Sequence, residues 1–249
     1  MQRIAHFAFG ALSYALFFGT FLYTAGFLTN RFVPKSIDSG ETGSLGTAVA
    51  IDLALLALFA VQHSGMARPA FKRAWTRIVP EPIERATYVL LSSLVMIAVF
   101  AFWRPLPETI WSFESTLGQA IGLGLFAVGL GTVLYSTLLI DHFELFGLRQ
   151  VWDGLMRRDT REETFVTPSL YRFVRHPLYV GWFVTLWATP TMTVGHLLFA
   201  WVCTAYILVA VRLEERDLVA AFGRRYEQYQ ATTPMFVPKG RPEPEAATA

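Results

Sequence analysis

Four long apolar runs, at residues 6–28, 47–62, 85–103 and 117–140, constrain this chain more than any other feature. A helix needs roughly 20 mostly apolar residues to cross about 30 Å of hydrocarbon, and each run predicts one spanning helix. A fifth stretch, residues 178–211, is longer than one span requires. It is interrupted by Thr189-Pro190-Thr191-Met192-Thr193-Val194-Gly195. Proline removes a backbone donor and glycine loosens the chain, so a turn is expected there. The stretch therefore predicts a helical hairpin with a short first arm, in preference to one kinked helix. Gly118, Gly122, Gly124, Gly129 and Gly131 in the fourth span are small enough to let two helices approach closely.

Charge agrees with a membrane interior. Only 16% of residues are charged, against about 25% in soluble domains, and aromatic residues make up 15%. The expected fold class is all-α: a polytopic integral membrane bundle of four spans plus a C-terminal helical hairpin. A charged helix over residues 213–230 then leaves the hairpin. A single domain, residues 1–238, is expected, and residues 239–249, rich in Pro, Glu and Ala, read as a disordered tail. The basic linker 66–80 is expected to lie along the inner membrane surface.

Loop charge gives the orientation. With the N-terminus in the cytoplasm, all of the 21 Lys and Arg residues except Arg31, Lys35 and Arg104 fall on the cytoplasmic side. The positive-inside rule therefore places both termini there. The hairpin is part of this argument, because a single final span would strand Arg212, Arg216, Arg224 and Arg225 outside.

Several function classes drop out. A net charge of +2 gives no global field for nucleic acid. The lone cysteine, Cys203, excludes an intramolecular disulfide framework and a Cys-rich metal cluster, and it reads as a small core residue. His63, His142 and His176 are not spaced as a ligand set, so no metal is expected. No P-loop or dinucleotide-binding glycine fingerprint is present.

Polar chemistry concentrates at two places. The first is Leu170-Tyr171-Arg172-Phe173-Val174-Arg175-His176-Pro177-Leu178-Tyr179-Val180-Gly181, where the chain enters the hairpin. Proline suits the start of a helix, and the N–H groups of that first turn can receive a carboxylate. Arg175 can equally anchor a lipid phosphate while the tyrosines form an interfacial belt. The second place is Arg212-Leu213-Glu214-Glu215-Arg216-Asp217 and Phe222-Gly223-Arg224-Arg225-Tyr226. Pairing of the hairpin arms would bring Arg175, His176 and Tyr179 to Glu214 and Glu215, with one acid free for a ligand ammonium. An ordinary solvated helix with charge pairs at helical spacing is the competing reading.

Together these segments resemble the isoprenylcysteine carboxyl methyltransferase-like superfamily of integral membrane methyltransferases. The likeness covers residues 150–238 and ends in Thr233-Pro234-Met235-Phe236-Val237-Pro238. It implies S-adenosylmethionine as methyl donor, S-adenosylhomocysteine as product, and a cofactor-binding part at about residues 142–238. Tyr171, Arg175, His176, Tyr179, Glu214 and Glu215 fall at or beside the donor-contacting motif. Thr164, Phe165 and Val166, after Glu163, match a further donor-contacting segment, and Gln150 a polar contact before it. The prenylcysteine enzymes also carry an arginine ahead of the acidic pair for the substrate carboxylate. Ala210 occupies the nearest position here, with Arg212 displaced, which speaks against a carboxylate substrate.

Asp141-His142-Phe143-Glu144-Leu145-Phe146-Gly147-Leu148-Arg149-Gln150, Gln62-His63-Ser64-Gly65-Met66 and Phe165-Val166-Thr167-Pro168 narrow the likeness. Together they are similar to the membrane-bound methanethiol S-methyltransferases of bacteria. That resemblance implies direct methyl transfer to a small volatile thiol in the bacterial inner membrane. A lipid or isoprenoid acceptor, or a non-enzymatic membrane protein of the NnrU type, is the alternative.

Thiolate is the reactive form of such an acceptor, so a base is expected. His142 is the first choice, since imidazole exchanges protons near neutral pH, with Asp141 or Glu144 orienting it. The same cluster can simply end the fourth helix, where a cationic imidazole suits the dipole. His63 is the next candidate. Asp52 lies within a span and is read as a helix-pairing or pocket residue.

Overall fold

The computed structural model describes residues 1–158 and 164–238. The tail 239–249 and Glu163 lie outside the described residues. Among the described residues five helices are long and apolar enough to cross a membrane: α1 (Gln2–Thr29), α2 (Leu45–Met66), α4 (Glu81–Phe102), α5 (Thr116–Ile140) and α9 (Val194–Phe222). Short elements join them, namely α3 (Pro69–Trp75), α6 (His142–Leu145), α7 (Leu148–Met156), a 3-10 turn (Ser169–Arg172), α8 (Pro177–Trp187) and α10 (Arg224–Thr232). The protein is an all-α polytopic membrane bundle.

Local chemistry sets several of these ends. Ser44 and Ser115 cap α2 and α5 by accepting from the backbone N–H of Thr47 and Gly118, which satisfies one of the donors a helix start leaves free. Pro69, Pro82 and Pro177 sit in the first turns of α3, α4 and α8, where a missing N–H costs nothing.

The interruption in the last apolar stretch is a turn, as its Pro and Gly predict. It also contains a strand. β2 (Thr191–Thr193) pairs antiparallel with β1 (Thr109–Ser112) and ties the two loops at the less basic end of the bundle. His196, just beyond, is buried at 1% exposure and meets the Leu186 carbonyl at 2.9 Å. It therefore lies inside the protein.

The arm α8 has 11 residues, about 16 Å at 1.5 Å per residue, and crosses only part of a bilayer. Its main partner is α5, not the other arm. Gly129 and Gly181 face one another so closely that a Cβ on Gly129 would meet Thr185 Oγ1 at 2.6 Å and the Gly181 carbonyl at 2.8 Å. Gly122 lies under Pro190, whereas Gly124 and Gly131 face open space. The glycines on one face of α5 thus make the close approach.

A core of Phe27, Leu56, Val99, Phe100, Trp103, Phe126, Leu186, Phe199 and Val211 joins α1, α2, α4, α5, α8 and α9. Cys203 packs against it. Asp52 is fully buried in α2, and one of its oxygens accepts from the Arg104 backbone N–H at 2.8 Å. It pins α2 to the chain leaving α4, far along the bundle from the acidic pair.

Residues 213–230 do not form one helix. Gly223 breaks them with φ of 55°, a conformation that glycine adopts without steric cost. α10 then folds back, so that Tyr226 is buried at 2% exposure.

Candidate active site

The turn at Gly223 brings the chain's C-terminal segment against the approach to α8. Arg175 N donates to the Pro234 carbonyl at 2.9 Å and His176 N to the Met235 carbonyl at 3.2 Å. Phe236 packs on Phe183 and His176. This strap takes the two N–H groups just ahead of the helix.

Beneath it the two polar clusters of the sequence meet. Arg175 Nε donates to Glu215 Oε1 at 2.7 Å, and His176 Nε2 lies 3.0 Å from the same oxygen. Gln230 Nε2 donates to Glu215 Oε2 at 3.1 Å. The Arg175 guanidinium also donates to the carbonyls of Gln230 and Thr233. Arg175 and Glu215 are therefore committed to one another, as a buried charge must be. They lock α8, α9 and α10 into one junction.

Glu214 differs. Its carboxylate accepts a single hydrogen bond among the described residues, from the Tyr179 hydroxyl at 2.7 Å. An ionised carboxylate can accept about four, so Glu214 keeps capacity for a cationic donor. Burial pushes the Tyr171 phenol well above its ordinary value, with Glu214 and Tyr229 adding to the effect. Tyr171 thus belongs to the same junction, and its carbonyl accepts from Tyr229.

The segment ahead of the junction is aromatic-lined. Phe165 lies 5.4–5.6 Å, ring centre to ring centre, from Phe222, Tyr226 and Tyr229, and the Arg225 guanidinium stands 5.6 Å over its ring. A cleft of about 400 Å³ is lined by Phe165, Val166, Thr167, Pro168, Arg172 and Arg225. Thr164 stands exposed just before it.

The second expected group does not join this junction. His142 is buried between α1 and α5, with Nδ1 2.8 Å from Thr137 Oγ1 and Nε2 2.8 Å from the Tyr14 hydroxyl. Thr137 Oγ1 also donates to the Leu134 carbonyl at 2.7 Å. The hydroxyl proton is thereby used, so Nδ1 is the protonated nitrogen and Nε2 accepts from Tyr14. Burial lowers the His142 pKa, and Asp141 only partly opposes this. Tyr14, Phe143 and Phe146 surround the ring. Among the described residues none of its hydrogen bonds or ring contacts reaches α8 or α9.

Asp141 does not orient His142 through a hydrogen bond. It caps α6 by accepting from Glu144 N at 3.1 Å and pairs with Arg149 at 3.0 Å. The Glu144 carbonyl accepts from Gln150 Nε2 at 3.0 Å, while Gln150 Oε1 is buried without a donor.

Sequence reasoning missed Tyr14, Gln230 and the carbonyls of Thr233, Pro234 and Met235. The tyrosine could have been found as a polar residue inside an otherwise apolar span. The carbonyls have no side-chain signal. Ala210 is buried and Arg212 exposed, so no arginine faces inward ahead of the acidic pair.

Relatives put this junction in context. The isoprenylcysteine carboxyl methyltransferase (ICMT) family matches residues 130–220, which carry both halves of the Arg175–Glu215 lock and the Tyr179–Glu214 pair. The protein is therefore an integral membrane methyltransferase. A methanethiol S-methyltransferase of Crocosphaera subtropica is 53% identical across 92% of this chain and 90% of its own. One of Mycobacterium tuberculosis is 47% identical across 96% of this chain and 98% of its own. Nurim of Xenopus laevis is 31% identical across 68% of this chain and 62% of its own. The chain belongs to the methanethiol S-methyltransferase family. No solved structure matches it.

Proposed function

We propose that the protein transfers the methyl group of S-adenosylmethionine to methanethiol, giving dimethyl sulfide and S-adenosylhomocysteine. The observation that carries this reading is Glu214, a carboxylate held among the described residues by Tyr179 alone, beside a neighbour, Glu215, that three side chains hold. An α-amino group is a cationic donor of the kind Glu214 can still accept. The aromatic faces around Phe165 suit a purine, and Val166 and Thr164 border them. When bound, the donor supplies an electrophilic methyl group on a sulfonium.

The chain's own work is positioning. Glu214 and Tyr179 hold the amino end, Tyr171 closes the wall, and the Arg175–His176–Glu215 lock fixes α8 relative to α9. Gln150, with an acceptor to spare, belongs to the outer part of the same region, residues 142–238. Alignment of sulfur behind the methyl in a closed site removes the entropy of encounter, an effect that reaches about 7–11 kcal/mol in well-oriented systems. The buried Ala210 supports an uncharged acceptor over a carboxylate.

The basic end of the bundle faces the cytoplasm of the bacterial inner membrane, by the asymmetry of its Lys and Arg residues. The donor enters there, and an apolar thiol reaches the site through lipid. Purified protein given labelled S-adenosylmethionine and a panel of thiols, lipids and isoprenoid acceptors tests the assignment. Label should appear chiefly in dimethyl sulfide. Label in a lipid, with none in the thioether, would exclude methanethiol as the acceptor.

A further inference from the structure

Methyl transfer to a thiol needs a proton acceptor beside the incoming sulfur, and His142 is enclosed by Tyr14, Thr137, Phe143 and Phe146, with no contact to α8 or α9 among the described residues. A different histidine lies at the same end of the bundle. The last turn of α2 carries Gln62, His63 and Ser64, and all three side chains face α4 or α9. The Ser64 hydroxyl lies 3.1 Å from the Tyr206 hydroxyl. Just beyond the helix, Arg68 pairs with Asp217 at 2.7 Å, fixing this turn to α9 three residues past Glu214.

His63 stacks on Phe59, with ring centres 5.1 Å apart and planes 18° apart. Its nitrogens meet hydroxyls only: the Tyr88 oxygen lies 3.0 Å from each and Ser92 Oγ lies 3.2 Å from Nδ1. No carboxylate pairs with it among the described residues. The charged and titratable groups facing it are Arg68, Arg85 on α4, whose guanidinium stands 5.7 Å over the Tyr88 ring, and Tyr88 itself, while Tyr206 on α9 packs on its neighbour Phe59. As a residue His63 is half-buried. Next to it, Gln62 Nε2 donates to Ser92 Oγ at 3.2 Å, and Gln62 Oε1 is buried with no donor among the described residues.

This cluster is continuous with the Glu214 junction. Tyr206 of α9 meets Ser64 at 3.1 Å and packs 6.2 Å from Phe59, the ring on which His63 stacks, and it stands about two turns before Glu214 on the same helix.

We propose that His63 is the general base of the reaction, taking the proton of a small acceptor thiol seated between Gln62, Tyr88 and the donor at Glu214. The inference rests on the donor reading above. The S–H bond breaks, its proton passing to an imidazole nitrogen and its electron pair staying on sulfur. That pair forms the new S–CH3 bond while the bond from methyl to sulfonium breaks, its electrons returning to the donor's sulfur. The imidazolium then gives its proton to water. Arg68 and Arg85 add a positive field that favours the thiolate.

The test compares wild type with His63→Gln on two acceptors, methanethiol and the more acidic hydrogen sulfide, with donor affinity measured separately by calorimetry. Positioned bases are commonly worth about 100- to 10,000-fold, so turnover of methanethiol at neutral pH should fall at least about 100-fold. With hydrogen sulfide, which ionises far more readily than methanethiol, the loss should stay under about 10-fold. Donor affinity should change less than about twofold, and methanethiol turnover should recover as pH rises. An equal loss on both acceptors, or no loss, overturns the proposal. A wild-type protein that does not bind the donor overturns the donor reading instead. If His63→Gln loses donor affinity, Tyr88→Phe decides: the lower inflection of the pH–rate profile should move by about half a unit or more, and an unmoved inflection overturns the role of His63.

Discussion

The Tyr179 hydroxyl donates to Glu214 at 2.7 Å, one turn past the point where His176, at the foot of the same helix, meets Glu215 at 3.0 Å. Two adjacent acids on α9 are thus held by one edge of α8, yet they are left in different states. Glu215 is held by three side chains, and Glu214 has one partner among the described residues.

That asymmetry makes Glu215 a structural residue first. Removing one partner of a buried ion pair costs about 3–5 kcal/mol, because the other charge stays buried. Arg175→Ala and Glu215→Ala should each lower the unfolding temperature in detergent markedly. The double variant should lose clearly less than the sum of the two, since neighbouring sites are not additive. Additive losses in a thermal double-mutant cycle would contradict the lock.

The contact between α5 and α8 is equally specific. Leucine at Gly129 puts a Cβ 2.7 Å from the Thr185 backbone N, whereas at Gly124 it meets nothing within 4 Å. Overpacking of this sort costs about 1–3 kcal/mol or more, so Gly129→Leu should lower thermal stability and Gly124→Leu should not. Differential scanning fluorimetry on the two variants distinguishes them, and equal melting temperatures would argue against the packing.

His142 gives a pH signature with a definite sign. Burial lowers its folded-state pKa below the ordinary 6.5. The unfolded chain therefore takes up a proton at a pH where the folded protein does not. The stability His142 contributes is complete above the ordinary value and is lost as pH falls below it. Unfolding temperature should decline across that acid range in wild type, and His142→Gln should flatten part of the decline. An unchanged slope in the variant would show that the ring is not held neutral.

The spans were legible because transfer into lipid is a property of composition over about 20 residues, and tertiary contacts do not alter it. The meeting of Arg175 and His176 with Glu215 was also legible, since a turn near Pro190 sends the chain back to the side it left. Which helix α8 packs on was not. That choice depends on Gly129 and Gly181 falling at the same height on two separate elements, and sequence spacing carries no such information. The break at Gly223 was missed because a glycine among Arg, Tyr and Glu can be carried inside a helix at about 1 kcal/mol. The strap of Pro234 and Met235 acts through main-chain carbonyls, which every residue possesses. The isolation of His142 followed from Tyr14, a residue 128 positions away.

Glu214 carries the central claim, and calorimetry of S-adenosylmethionine binding to the purified protein tests it most directly. Wild type should bind one donor per chain. Glu214→Gln keeps the shape but loses a charge-assisted hydrogen bond worth about 1.5–3 kcal/mol, and should bind about 10- to 100-fold more weakly. Donor affinity unchanged in a folded Glu214→Gln protein would contradict the account.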